Sequence, residues 1–470
     1  MILNPSRVIL LVGALVLFSG VMLLDRGIAP FILLAALLIF VSIIRLSVPA
    51  VFYTLLIIRP SLDIFGAYVF VISSNLPSIN IAGIVALISI IVSIILIYRS
   101  QKRILTIPLS ALFIFLFFIY GIFTVLSLHP IASINELIRV SSFLLMYFTG
   151  YVVINTKYDL TRIIWAIIIS SIIPTIVGYI QLFNGAGLYT NPGFENRIAG
   201  TFGHPNVLGY FLLIIIALIV YLYFENPARK PLYKTLLITY GVLLGVLLLS
   251  TYTRGAWIGI SLLLLGVSII RYTKKTLIIS AIAIPIMAIS AFSYTWVQTN
   301  IIYDLTPLED ISVISRVVGL FNGDPSDSII WRQIMWSDMY NKALTRPIIG
   351  FGAGTIEIIV EEVRGVSLGA LEAHNDYIKI LVEMGVIGLF SYITFILALL
   401  YSLLIRIQSK QDTLFLIMTF LVLAIYLSSI WDNLLRQTAV MWIFFGLLGV
   451  VMKYHTIRAK DPSKDSPTEE

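Results

Sequence analysis

The stretch NVLGYFLLIIIALIVYLYF, residues 206–224, carries no acidic or basic side chain and is long enough to cross a bilayer as a helix. In hydrocarbon every backbone N–H and C=O must be satisfied within its own segment, so a helix is the form such a run takes. Comparable apolar runs lie at approximately 8–24, 30–47, 50–72, 80–98, 108–127, 137–154, 162–183, 233–250, 255–271, 275–293, 376–405, 412–430 and 436–453. The fold class that follows is all-α, a polytopic transmembrane helical bundle of about 12–14 spans. The first three runs are the least regular. Arg59, Pro60 and Asp63 interrupt the third, which is expected to be broken or partly interfacial.

Composition agrees. The chain is 59% hydrophobic and 12% charged, with a mean hydropathy of +1.01; soluble domains carry roughly 25% charged residues. Cysteine is absent, which excludes disulfides and thiolate metal sites. The run 8–24 lacks a small-residue cleavage site and is followed at once by another, so it reads as a span and not as a removed signal peptide.

Basic residues set the expected orientation. Arg99, Lys102 and Arg103, then Lys157 and Arg162, then Arg229, Lys230 and Lys234, then Arg271, Lys274 and Lys275, then Arg406 and Lys410 all fall on one side when the runs alternate. Lys453, Arg458, Lys460 and Lys464 join them, so that side is read as cytoplasmic, with both termini. The net charge of +7 is accounted for by this asymmetry and does not call for nucleic acid. The chain divides into N-terminal spans 1–130, spans 131–293 with a polar loop 184–205, a large loop 294–375, C-terminal spans 376–454 and a tail 455–470, polar and expected to be disordered. The long loops fall on the extracytoplasmic side. In the largest, helical periodicity runs from Ile329 to Lys342, with Trp331, Met335 and Met339 on one face and Ile334 beside them. A turn, GFGAG at 350–354, and a second short helix near Ile356 to Val363 follow; no strand pattern is visible.

Three runs begin on that side directly after polar motifs, near Pro205, Gly255 and Asn375. Their N-termini, with free N–H groups and the positive end of the helix dipole, favour anions such as phosphate. Pro205 suits a first helical turn and Asn375 or Asp376 a cap. Arg197 and Arg254 stand at two of these junctions and add planar, permanently charged donor forks. Single arginines at such places otherwise snorkel to the interface or bind headgroups. His374, one of four histidines in the chain, stands at the third junction and is a candidate general base; taken alone it would read as a helix-end histidine. Glu372 and Asp376 are near enough in sequence to orient it, or to be the base instead.

His204 is a second candidate and a support for its helix start; Asn206 can hydrogen-bond a sugar or phosphate. Arg316 and Arg332 in the large loop either reach the site or are solvated. Arg59 pairs with Asp63 four residues on, or else contacts substrate. Asp432 and Arg436, in WDNLLR, are expected at the rim. GFGAG lacks the Lys-Ser/Thr of a nucleotide loop. The histidines and the scattered outer carboxylates do not have ligand spacing, so no metal is expected.

RIAGTFGHPNVLGY at 197–210, STYTRGAWIGI at 250–260, RPIIGFGAGT at 346–355 and HNDYIKILVEMGVIGL at 374–389 resemble, in this order, the O-antigen ligase and O-antigen polymerase superfamily (Wzy/WaaL-type). The resemblance covers about residues 130–450. It implies a lipid-carrier-dependent glycosyltransferase of a bacterial inner membrane, with its active site on the extracytoplasmic face. The donor would be a glycan on undecaprenyl diphosphate. The acceptor hydroxyl would belong to a lipid A core for a ligase, or to another carrier-linked repeat unit for a polymerase. Arg197 and Arg254 would hold the diphosphate and His374 would take or orient the acceptor proton. Displacement would be direct and inverting, with no metal, cofactor or nucleotide sugar. Ligase and polymerase remain open. From another class, a lipid-linked glycan flippase or a membrane scaffold would also need many helices, although transporters commonly show repeats and polar midplane residues that the runs do not display.

Overall fold

The computed structural model describes residues 48–65, 69–70, 79–185, 197–225, 230–271, 328–364, 372–407 and 412–460. The expected runs 8–24, 30–47 and 275–293, residues 186–196 and 294–327, Arg316 and residues 461–470 of the expected tail 455–470 lie outside them, while residues 455–460 continue the last helix.

The described residues are almost wholly helical. In chain order they form α1 (Val48–Ile58), α2 (Ile81–Arg99), α3 (Ser110–Val125), α4 (Pro130–Val153), α5 (Lys157–Ser170), α6 (Ile172–Phe183), α7 (Pro205–Glu225), α8 (Pro231–Ser250), α9 (Arg254–Arg271), α10 (Ser328–Leu344), α11 (Ile356–Arg364), α12 (Asp376–Leu404), α13 (Thr413–Ser428) and α14 (Thr438–Lys460). Six stretches among the described residues are long and apolar enough to span a membrane: 130–153, 157–183, 205–225, 231–250, 376–404 and 438–458. The chain is thus a multi-pass membrane protein. One departure from the all-helical expectation is a two-residue antiparallel ladder pairing Val69 with Asn80 and Phe70 with Ile79, too short to leave a sequence period.

The centre of the bundle is the pair α4 and α14. Lipid supplies no hydrophobic drive between helices, so close van der Waals approach must hold them. Glycine permits it: Gly150 of α4 lies against the backbone of Gly446, and Gly449 of α14 lies against the carbonyl of Tyr147. Trp442, fully buried, donates from Nε1 to Ser142 Oγ at 2.9 Å across the same interface. Phe113 of α3 stacks on Tyr147 with centroids 4.1 Å apart.

Three of the expected runs are broken, the first of them where its sequence is expected to be broken or partly interfacial. The run 50–72 becomes α1 followed by a 3-10 turn, Arg59–Phe65. There Arg59 is buried, donates to Asp63 Oδ1 and Thr438 Oγ1 at 2.5 Å each, and lies over the Trp442 ring. The expected Arg59–Asp63 pairing therefore forms. The run 162–183 divides at Ser171, three residues before Pro174, which cannot donate a helical hydrogen bond.

The third break lies inside α12. Gly385 has φ +61° and ψ −162°, outside any helical conformation. The backbone groups freed by the break are taken up by residues 347–352: Phe351 N–H donates to Val382 O (3.1 Å) and Gly352 N–H to Glu383 O (2.7 Å), while the freed Val386 N–H donates to Pro347 O (2.8 Å). Irregular backbone survives at membrane depth only where protein satisfies it. GFGAG is thus a turn, as its composition suggests, and Gly352 (φ +115°) could not carry a side chain without striking Ser127.

The first part of α12 lies between the main core, which Ile380 and Met384 join, and a second, smaller core. Val382, with Ile378 and Leu381 against it, packs on Met335 and Met339 of α10 and on Ile356, Ile359 and Val360 of α11. The expected apolar face of α10 holds for Met335 and Met339, while Ile334 is exposed. Beyond the break, Tyr392, Phe395, Leu399 and Leu403 join the main core.

Candidate functional site

The N-termini of α7 and α12 and the turn before α9 meet at one end of the bundle, each start fixed locally. Pro205 opens α7, where its missing N–H costs nothing. His204 Nδ1 accepts from Asn206 N–H at 3.1 Å, which satisfies one orphan donor and puts the ring proton on Nε2. Burial, with Arg197, His374 and Arg332 nearby, outweighs Asp432 and lowers the pKa of His204 to about 4, so it is neutral near pH 7. Asn375 caps α12, its Oδ1 accepting from Tyr377 N–H (2.9 Å) and Ile378 N–H (3.0 Å). Arg254 is the first residue of α9 and is half-buried.

A polar chain links these starts. Arg197 is buried; its Nε donates to Thr251 O (2.9 Å) and its Nη2 to Asn206 Oδ1 (2.6 Å). Thr253 Oγ1 donates to the same oxygen at 3.3 Å. Asn206 Nδ2 donates to Asp432 Oδ2 at 2.7 Å. Asp432 Oδ1 accepts from Asn433 N–H at 2.9 Å and stands 3.7 Å from His374 Nδ1. At that distance the contact with the imidazole is electrostatic more than a formed hydrogen bond. Burial would raise the Asp432 pKa, but His374, then His204 and Arg332, more than offset it and hold it at about 2. Asp432 is therefore a fixed anion beside the imidazole. His374 itself has φ +48°, an uncommon value for a residue other than glycine. Such a conformation persists only where the surroundings over-determine it. They do so here: Ala373 O accepts from Trp336 Nε1 (2.8 Å) and Asn375 N–H donates to Asn433 Oδ1 (2.8 Å).

Glu372 and Asp376, read from the sequence as able to orient His374 or to be the base instead, have other partners. Glu372 is engaged by Arg436 (3.2 Å) and Asn433 Nδ2 (3.2 Å), and Arg436 also pairs with Glu357. Asp376 is fully buried below the cap, its Oδ2 accepting from Leu435 N–H at 3.2 Å. The carboxylate facing the imidazole comes from the turn between α13 and α14, which sequence reasoning placed only at the rim. Its signal was available: a lone acid in a tight turn between two apolar runs.

Of the other expected residues, Arg332 on α10 is half-buried and lies close enough to act electrostatically on His204 and Asp432. Arg59 is committed to Asp63 and Thr438 on the flank, where Thr201 Oγ1 donates to Pro60 O (2.7 Å). Arg316 lies outside the described residues. Among the described residues no three His, Asp or Glu side chains are grouped so as to hold a metal ion.

A second polar group went unforeseen. Lys379 of α12, buried, donates from Nζ to Glu136 Oε1 of α4 and to Glu383 Oε2, both at 2.8 Å. Arg139 also pairs with Glu136, and Glu383 Oε1 accepts from Ile356 N–H at 3.2 Å. The reading of mostly apolar spans with their polar motifs on one face does not include this buried group.

The first group can do one kind of chemistry well. It sets an imidazole, with a carboxylate 3.7 Å from Nδ1, near two helix N-termini, where an anion would be stabilised, and a buried arginine is joined to that carboxylate through Asn206. No curated protein matches this chain. Residues 239–393, a stretch that includes Arg254, Arg332, Lys379 and His374, match the family model described as O-antigen ligase (Wzy_C), so the chain carries an O-antigen ligase-type domain there.

Proposed function

We propose that the protein is a membrane glycosyltransferase that moves a glycan from undecaprenyl diphosphate to an acceptor hydroxyl on the extracytoplasmic face, in the manner of an O-antigen ligase. The single observation that carries this is the chain from Arg197 through Asn206 and Asp432 to His374. With Nδ1 facing Asp432, His374 has Nε2 for the acceptor. It removes the hydroxyl proton as the oxygen attacks the anomeric carbon. The bond from that carbon to the diphosphate oxygen breaks, the new glycosidic bond forms with inversion, and the carrier leaves as its diphosphate. Arg254, at the start of α9, takes the charge that grows on the leaving group, helped by the helix N-termini and Arg332. Arg197 acts one step back, holding Asn206 and the 251–253 turn in place. Arginines in this role would serve where other transferases use a metal.

The test is in vitro transfer with purified protein, a carrier-linked glycan and candidate acceptors, with and without chelator. His374→Ala and Arg254→Ala should each abolish transfer in protein that still inserts and folds. Full activity in both variants would sink the assigned roles. In cells, loss of a ligase leaves long polymer on the carrier, whereas loss of a polymerase leaves single repeat units.

A further inference from the structure

We infer that Lys379 and Glu136 are positioning residues for His374: their buried ion pair sets the place of the half-helix that carries the imidazole. The inference rests on the proposed role of His374 as base. Residues 376–384 are not simply the end of a long span. Gly385 interrupts α12, and the half-helix packs on α10 and α11 through Val382, while Ile380 and Met384 reach the main core. Rigid continuation of the helix therefore cannot fix its depth or rotation. Apolar packing and polar braces do so together, and Lys379 is a charged brace that reaches the central helix α4. It lies one turn into the half-helix, directly below the cap that follows His374.

The charges Glu136, Glu383, Lys379 and Arg139 sum to zero, so the group is tolerated in the interior. An apolar contact would hold the helices together without a neutral quartet to maintain. What the quartet adds is direction: Lys379 Nζ is fixed from two sides at 2.8 Å, and Glu383 also receives the first N–H of α11. The ion pair thus ties α4, the half-helix and α11 into one frame. Ionisable groups within spanning segments are costly and are retained where they serve a function. The polar chain described above already leaves His374 at the far edge of contact with Asp432, so a small slide of the half-helix would separate them.

The test separates position from charge balance. Lys379→Met with Glu383→Gln removes one cation and one anion, keeps the Glu136–Arg139 pair and keeps an acceptor for Ile356 N–H. This double variant should insert and melt near the parent temperature. Its KM for the carrier-linked donor should stay within about twofold, while kcat falls about 10- to 100-fold, the scale of a ~1 Å misplacement of a reacting group. Lys379→Arg, which keeps the cation, should recover most of kcat. Parent kcat in the folded double variant would overturn the inference. If the double variant fails to fold, Glu136→Gln is compared in the same way: lowered kcat at unchanged KM supports the inference and unchanged kcat overturns it. His374→Ala is run alongside. An inactive His374→Ala with a fully active double variant removes only the positioning role; an active His374→Ala removes the base assignment and this inference with it.

Discussion

Asn206 and Asp432 lie 226 positions apart and are joined by a 2.7 Å hydrogen bond. That bond fastens the start of α7 to the turn after α13. It also fixes the orientation of the Asn206 amide, since its oxygen faces Arg197 and its nitrogen faces the carboxylate. Asp432 keeps its other oxygen for His374 and for the Asn433 N–H. One residue thus serves both architecture and the imidazole, and the two services can be separated.

Asp432→Asn retains an oxygen for Asn206 and loses the charge. Transfer should fall by about 10²–10⁴-fold in kcat, by analogy with neutralising the carboxylate that orients a catalytic histidine, while the melting temperature drops by only a few degrees. Asp432→Ala should lose both. The depressed pKa, about 2, means that Asp432's contribution is complete above its unfolded value of 3.8 and is lost only as pH falls through 2. Changes of rate across roughly pH 5–8 must therefore come from groups other than Asp432. Initial rates and melting curves of the two variants across pH check both statements; equal kcat in Asp432→Asn and parent would refute the first.

Arg197 and Arg254 should respond differently to lysine. Arg197 is buried and uses Nε and Nη2 on two separate acceptors, a geometry that an ammonium cannot reproduce. Arg197→Lys should lower stability by about 1.5–3 kcal/mol, the cost of one charged hydrogen bond. Arg254, half-buried at a helix start, is expected to act through charge. Arg254→Lys should melt like the parent and keep part of its activity, whereas Arg254→Ala should keep none. Melting in detergent and donor-saturated rates decide the matter; two variants that melt alike would remove the distinction.

His204 supplies an acid-sensitive element. Its folded pKa, about 4, lies below the unfolded value of 6.5, so between these limits the unfolded chain binds the proton first. Its stabilisation is complete above pH 6.5 and is lost as pH falls toward 4, at most on the order of 3 kcal/mol. His204→Asn offers an oxygen to the same N–H and does not titrate. The variant should show a flatter loss of melting temperature between pH 6.5 and 4. Parallel curves for variant and parent would mean that some other group controls the acid limb.

What could be read from the sequence was what local chemistry decides. Long apolar runs announced helices, Asn375 announced a cap, Arg59 and Asp63 at helical spacing announced a pair, and Pro60 and Gly350–Gly354 announced interruptions. Partners brought together by folding were not legible. Glu372 and Asp376 stand beside His374 in sequence, yet Asp432, from another pair of helices, faces it. Lys379 and Glu136 are 243 positions apart, and neither announces the other. The break at Gly385 is equally hidden: EMGVIG is compatible with an unbroken helix, and only the turn at 350–354 makes the left-handed glycine affordable.

The surroundings of Gly449, in the α4–α14 contact, and of Gly245, in α8, predict opposite signs for two glycine substitutions. At Gly449 a methyl would sit 1.9 Å from the carbonyl oxygen of Tyr147, and backbone rather than a flexible side chain would have to yield. Gly449→Ala should separate the two central helices and cost about 1–3 kcal/mol or more, as overpacking does. At Gly245, in α8, nothing lies within 4 Å of the same position. Gly245→Ala gains helix propensity without a clash and should stabilise by about 0.5–1 kcal/mol. Because α14 begins at Thr438, just after the turn that holds Asp432, the Gly449 variant should also lose transfer activity. Melting temperatures that move in the same direction for both substitutions would contradict the packing described here.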